Sequence, residues 1–334
     1  MRDLAESPRT EGREGRQPAR QLSDRLRDLL DVVHVEADGL TAAVGERTVT
    51  APSSPALVSH LATALYRVVH VGRPETDTEG EAATAPERDL EALLAGAVPH
   101  RHTSYHAPVL SAAEGGPAVI GLSGVRVRLD PDRLVSTGGD GRQAHVRVSA
   151  ARPMLSPGFF LVDGSLPLPP GAQVLRVYLH VETPEAAVEA WGRALECLEG
   201  RGVAFRAKAS SSSAALPRRD GVVVYLDGLD RDLLASLVGA VEGIAGLGAG
   251  SSPFTMPLAA GVAVAWEPDD ARPGMRHTSL GEHRSRALAS GLVDHAVRPD
   301  GRTRAERVRD ALIEGGIDPS APARNLSSPH FPWN

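Results

Sequence analysis

The amino-acid sequence predicts an α+β protein of two domains, the C-terminal one a β-sheet with βαββ-type connections flanked by helices. Three observations lead there. The chain has 334 residues, enough for two cores of ordinary size. A Pro- and Gly-rich stretch at 164–171 is its clearest punctuation. Beyond that stretch apolar residues recur at every second position and then at every third or fourth, the signature of strands alternating with helices. The expected division is therefore a disordered tail at 1–20, an N-terminal α/β domain at 21–165 with a possible role in peptide or partner binding, and a domain at 166–334 that carries the chemistry.

Residues 1–20 are rich in Arg, Glu and Pro and lack periodicity, which argues against a packed element. Ser23 is placed to cap a helix bearing Leu26, Leu29, Leu30 and Val33. A second helix is expected over 55–69, with Leu57, Leu61, Leu65 and Val68 on one face, then a loop over 72–86 and a short helix near 90–94. Strands are expected at 119–122 and 125–129, and a turn at 138–141 before another strand that includes Val146 and Val148. The run from His100 to His106 holds three histidines but no cysteine or carboxylate at metal-ligand spacing, so it reads as an exposed loop and no metal is expected.

After 171 the pattern sharpens. Leu175, Val177, Leu179 and Val181 alternate with Arg176, Tyr178 and His180, giving a strand with one apolar and one chemically equipped face. Thr183 and Pro184 open a helix that Gly200 closes. Phe205, Ala207 and Ala209 then alternate with Arg206 and Lys208. A serine loop at 210–213, a strand at 221–226, a helix at 230–243, an extended segment at 253–258, a strand around Val262 and Val264, a helix holding His283, Arg284 and Arg286, and a last helix at 305–314 complete the chain.

The formal charge of −6 gives no overall basic field to draw the protein to nucleic acid or an acidic membrane. The single cysteine, Cys197, excludes an internal disulfide and sits in an apolar helical run, where a packed thiol is the simpler reading. No stretch approaches the roughly 20 apolar residues of a membrane span, and the start lacks the apolar stretch of a signal peptide, so the expected location is cytoplasmic.

Every one of the 36 basic residues is arginine except Lys208. A guanidinium keeps its proton, whereas an amine can give one up and act as a base. The retained amine shares a strand face with Arg206. Taken singly, each arginine is more often an ordinary surface charge. Together Arg176, Arg206, Arg218, Arg219, Arg284 and Arg286 describe a local basic pocket in an acidic protein, most simply for phosphate, which the planar fork of arginine matches. There is no P-loop, and Ser211, Ser212 and Ser213 lack the setting of an activated nucleophile.

The succession Arg176-x-Tyr178-x-His180, Phe205-Arg206-x-Lys208, Arg218-Arg219-Asp220, Phe254-Thr255-Met256-Pro257-Leu258, Gly281-Glu282-His283-Arg284 and the ending Ser328-Pro329-His330-Phe331-Pro332-Trp333-Asn334 resembles the HopA-effector-like family over roughly 170–334. Members of that family act in class V lanthipeptide and thioamitide pathways beside an aminoglycoside-phosphotransferase-like kinase. Two positions depart from the family pattern: His180 stands where Asn is frequent, and Met256 where Lys is frequent. The resemblance implies a phosphothreonine/phosphoserine lyase that eliminates phosphate from a precursor peptide and leaves dehydrobutyrine or dehydroalanine, without a cofactor. It implies Lys208 as base and His180 as acid, with Tyr178 or His283 in reserve. Phosphate would be held by Arg206, Arg219, Arg284 and Arg286, with Arg176, His283 and Thr255 as further ligands. The implied partners are the phosphorylated precursor peptide, the separate kinase and a cyclase. The competing reading is a non-catalytic module that docks a phosphopeptide or the kinase.

The composition of the first 20 residues generates a direct test. Deleting residues 2–18 should leave the thermal midpoint and any activity nearly unchanged; a large loss of either would assign the tail to the fold or to substrate binding.

Overall fold

A computed structural model describes residues 21–73, 85–112, 116–122, 124–137, 141–152, 155–276 and 278–332. The expected tail and most of the 72–86 loop and the 138–141 turn lie outside the described residues. The elements run α1 (Asp24–Asp31), β1 (Val33–Val35), β2 (Thr41–Val44), β3 (Arg47–Thr50), α2 (Ser54–Leu65), α3 (Arg88–Gly96), β4 (His102–Ala112), β5 (Ala118–Leu122), β6 (Val125–Leu129), β7 (Leu134–Thr137), β8 (Gln143–Ser149) and β9 (Phe159–Asp163). They continue with β10 (Val174–Val181), α4 (Pro184–Gly200), β11 (Phe205–Ser210), β12 (Arg218–Asp227), α5 (Arg231–Val241), β13 (Met256–Ala259), β14 (Val262–Trp266), α6 (Leu280–Val297) and α7 (Arg304–Glu314). The fold is α+β, and no described helix is long and apolar enough to cross a membrane.

Local chemistry sets the helix ends. Ser23 accepts from the Leu26 amide and Thr183 from the Ala186 amide, each satisfying a donor that a helix start leaves open. α6 and α7 both begin with a capping box, Ser279 with Glu282 and Thr303 with Glu306. Val33, expected on the first helix, belongs instead to β1. The expected 55–69 helix is α-helical to Leu65 and then widens into a π-helical turn at Tyr66–Val71. The histidine-bearing run read as an exposed loop is, from His102 on, the first part of β4, paired with β8.

Strands form three antiparallel sheets, ordered β1-β2-β3, β6-β5-β4-β8-β7 and β13-β14-β10-β12-β11-β9. The six-stranded sheet positions the site. β10 and β11 both pair with β12, which lies between them, and α4 makes the crossover. Leu175, Val177 and Leu179 share one face with Val222, Val224, Leu226, Phe205 and Ala207, and this buried face is covered by α4. The opposite face, with Arg176, Tyr178, Arg206, Lys208 and Tyr225, is roofed at one end by the π-helical turn, whose His70 ring meets Tyr178 edge-on at 5.7 Å.

One hydrophobic core runs from Leu22 to Phe331 and joins α1 and α2 to the six-stranded sheet, while the five-stranded sheet has a small core of its own around Ile120 and Val146. The expected boundary at 166 falls just after β9, which is the edge strand of the sheet on the other side of that boundary. Buried Asp163 at the end of β9 ties the regions together, accepting from Arg152, Arg206 and Tyr105 through its carboxylate and from His100 through its carbonyl.

A fragment of 166–334 loses β9, the π-helical turn and the apolar faces of α1 and α2. We expect it to lack the cooperative urea unfolding of the full chain; a single sharp transition with a comparable midpoint would show that the second half stands alone.

Candidate active site

Antiparallel register places the equipped residues in two rows. Arg206 lies opposite Tyr225, and Tyr225 opposite Arg176; one step along, Lys208 lies opposite Val223, and Val223 opposite Tyr178. Neighbouring strands stand about 4.8 Å apart, and residues two apart on a strand about 7 Å. Arg176, Arg206, Lys208 and Tyr225 form the floor of a cleft of about 700 Å³. β9 supplies Phe159 and Leu161 to its side, β14 leads into Glu267, the π-helical turn contributes Tyr66, and the start of α6 brings Ser279 and Glu282.

The guanidiniums around this cleft are each matched by a carboxylate. Arg176 is buried, forks onto Glu267 and lies 5.0 Å above the Tyr225 ring. Arg206 donates through Nε to Asp163 at 2.6 Å, while its side chain stays 41% exposed. Arg218 donates to both oxygens of Asp220, at 2.7 and 3.0 Å, and to the Tyr66 hydroxyl at 3.5 Å. Burial alone would raise the Asp220 carboxyl, but the Arg218 guanidinium holds it below the usual carboxylate range. Lys208 differs from all of these. It makes no hydrogen bond or ion pair with any described residue, and its ammonium rests 3.9 Å above the Phe159 ring, which Arg218 also approaches at 4.9 Å.

Not every residue expected at the site reaches the cleft. His180, placed close to Lys208 in the sequence reading, is separated from it by β12 and sits at the far end of β10. Its Nδ1 donates to the Gly250 carbonyl at 3.0 Å, which leaves Nε2 of the neutral ring as an acceptor. Burial lowers its pKa, an effect that the Gly250 contact opposes and Arg219 reinforces. Tyr178, Arg219 and Thr255 surround a crevice too narrow for a water molecule. There Arg219 donates to the Val69 carbonyl and Thr255 to the Ser252 carbonyl, while the buried Tyr178 hydroxyl has no partner among the described residues.

His283 and Arg284 are corrected in the same way, because both side chains are fully enclosed and already satisfied. Arg284 donates to the carbonyls of Pro322 and Arg324, to Asn325 and to Nδ1 of His283, and so fastens α6 to the C-terminal segment. Nε2 of His283 is 2.9 Å from Asp270. Full enclosure keeps both out of reach of a substrate. Arg286 is exposed and lines a separate, adjoining cleft.

A HopA1 effector protein family model matches residues 150–324, more than half of the chain. The chain belongs to the HopA1 effector protein family. Among solved structures, the HopA1-family chain is similar to an effector protein from Pseudomonas syringae pv. syringae strain 61, at 15% identity and a TM-score of 0.44, covering 81% of this chain and 96% of that one. It is also similar to an effector protein from Pseudomonas syringae pv. tomato strain DC3000, at 13% identity and a TM-score of 0.46, covering 80% and 94%. No curated protein sequence matches it.

Sequence reasoning missed Tyr66, Phe159, Tyr225 and Glu267 in this HopA1-family cleft, and His70 at the crevice near it. Tyr225 stands in a strand beside Leu226 and faces the equipped side, so the period-2 rule that found Arg176 and Lys208 carried the signal for it as well. His70 is buried, with Nδ1 2.9 Å from Ser252 Oγ and Nε2 3.9 Å from Asp220. Burial holds both His70 and His283 down to about 4. For His283, Arg284 adds to the effect, since Nδ1 cannot take a proton while it accepts from a guanidinium.

The unfolded chain binds protons on these rings near pH 6.5, well before the folded chain does. Their stabilising effect is therefore complete above about pH 6.5 and is lost as pH falls towards 4, by roughly 3 kcal/mol for each ring. Urea midpoints measured across that window should fall steeply, and less steeply for His70→Gln; equal slopes for the two proteins would contradict the buried neutral ring.

Proposed function

We propose that the chain is a phosphothreonine/phosphoserine lyase that converts phosphorylated residues of a ribosomal precursor peptide to dehydrobutyrine or dehydroalanine during lanthipeptide-type biosynthesis. The observation that carries this reading is Lys208: the one amine among the basic residues stands on the cleft floor without a carboxylate or hydrogen-bond partner among the described residues. Arg206 lies two residues away on the same strand face. Their backbone positions are thus about 7 Å apart, a spacing at which one side chain can reach the α-proton and the other the phosphate ester of the same residue.

In this reading the free amine of Lys208 takes the α-proton. The released electron pair forms the Cα=Cβ double bond, the Cβ–O bond breaks, and phosphate departs with its bonding electrons. Arg206 and Arg176 stabilise the charge that gathers on the leaving group. Tyr225, between them in register, replaces His180 as the donor of a proton to the departing oxygen. The arginines keep their carboxylates because a guanidinium has five donors, and one paired through Nε alone, as Arg206 is, retains others for phosphate. The substrate would come from a separate aminoglycoside-phosphotransferase-like kinase, and a cyclase would consume the product. The 21–165 region, through its five-stranded sheet, would bind the peptide or a partner.

Lys208→Arg decides between a base and a mere cation. It preserves charge and approximate reach, so phosphopeptide binding should persist, whereas elimination should fall at least about 10²-fold because the guanidinium does not yield its proton. Wild type and variant would be incubated with a phosphothreonine peptide and loss of phosphoric acid followed by mass spectrometry. Elimination by the variant near the wild-type rate sinks the base assignment. Tight binding by both proteins with elimination by neither favours the docking module.

A further inference from the structure

A second cleft, of about 450 Å³, adjoins the first across a wall formed by Tyr66 and Glu282, which line both. Its volume is within the range of about 300–1,000 Å³ typical of ligand sites. α2 contributes Ala62 and Thr63, the segment before α6 contributes Met275 and Thr278, and Arg286 stands on α6 one turn beyond Glu282. Spacing of this kind ordinarily produces an ion pair. Here it does not, because Glu282 is the acidic partner of the α6 capping box, with its carboxylate on the Ser279 amide at 2.8 Å. Arg286 consequently has no hydrogen bond or carboxylate partner among the described residues. The wall carboxylate is itself compensated by the amino end of the helix it caps. Among the described residues, two adjoining clefts therefore each hold one unmatched cation, Lys208 in the larger and Arg286 in the smaller.

We infer that the smaller cleft is a recognition subsite for an anionic side chain of the same peptide, a carboxylate or a second phosphate near the phosphoresidue over Lys208, with Arg286 as its ligand. The inference rests on the phosphopeptide reading of the larger cleft. A peptide is the substrate class that would fill both spaces at once, since its backbone can cross the Tyr66 wall while neighbouring side chains drop to either side. Arginine suits both sources of charge because its fork pairs with carboxylate and phosphate alike. Ala62 and Met275 supply an apolar margin for the stem of that side chain.

The test is binding to the full chain by fluorescence anisotropy, so that it does not depend on turnover. Labelled phosphothreonine peptides would carry Ala, Asp or phosphoserine at successive positions on either side of the phosphothreonine. At one or two of those positions Asp or phosphoserine should tighten binding about five- to tenfold over Ala, the size of a charge-assisted contact. A larger gain for one anion identifies the source of charge. Arg286→Gln should erase that preference, and Arg286→Glu should reverse it in favour of a peptide with Lys at the same position. The exposed site makes both variants compatible with folding, which circular dichroism would check. Equal binding of all wild-type peptides, or an acidic preference that survives Arg286→Gln, overturns the subsite. Preference lost in the variant without any elimination by wild type overturns the lyase reading and leaves the subsite standing. No binding of any phosphopeptide overturns both.

Discussion

The organising constraint is the cost of holding cations on a sheet face that the fold partly removes from water. A charge moved out of water without a partner costs several kcal/mol, and breaking a buried pair by removing one member costs about 3–5 kcal/mol. The structure meets this by giving each guanidinium near the cleft its own carboxylate, from a different element in each case: Glu267 beyond β14 for Arg176, Asp163 on β9 for Arg206, and Asp220 on β12 for Arg218. The first ties β10 to the end of β14, the second ties β11 to the edge strand β9, and the third lies within β12. They also fix the geometry of the floor, so that Lys208, the floor cation without a carboxylate among the described residues, occupies a defined place beside a phenyl ring.

The strand order converts that pairing into a site. Because β12 lies between β10 and β11, residues that are far apart in the chain come into one row, and Tyr225 becomes the neighbour of both Arg176 and Arg206. A direct β10–β11 pairing would have brought the two strands' polar faces together without a phenol between them.

The equipped faces of β10 and β11 were legible because period-2 alternation is a local property, and so were most helices, whose caps and spacing are also local. What could not be read was set by distant partners. His283 and Arg284 look like ligands in a motif, yet their acceptors include Asp270 and the 322–325 segment, and only the tertiary fold reveals that both are enclosed. His180 was misplaced because a crossover from one strand to the next does not say whether a third strand enters between them. β4 escaped because His102, Ser104 and His106 alternate with Thr103, Tyr105 and Ala107, a weakly apolar rhythm that composition alone hides. The role of residues near 66–71 was invisible because a helical pattern does not announce where its turn widens.

That widened turn has a wider consequence. The family model spans 150–324, and the floor residues Arg176, Arg206, Lys208 and Tyr225 all fall within it, as does Glu282 of the wall between the two clefts, whereas Tyr66, the other half of that wall, does not. The floor thus comes from one part of the chain and the wall from two. A relative that shares only the matched stretch has the counterparts of the floor and of Glu282, and must supply the aromatic half of the wall from whatever precedes it. What shape of molecule can span both clefts would then vary with the first third of the protein, while the floor beneath them would not.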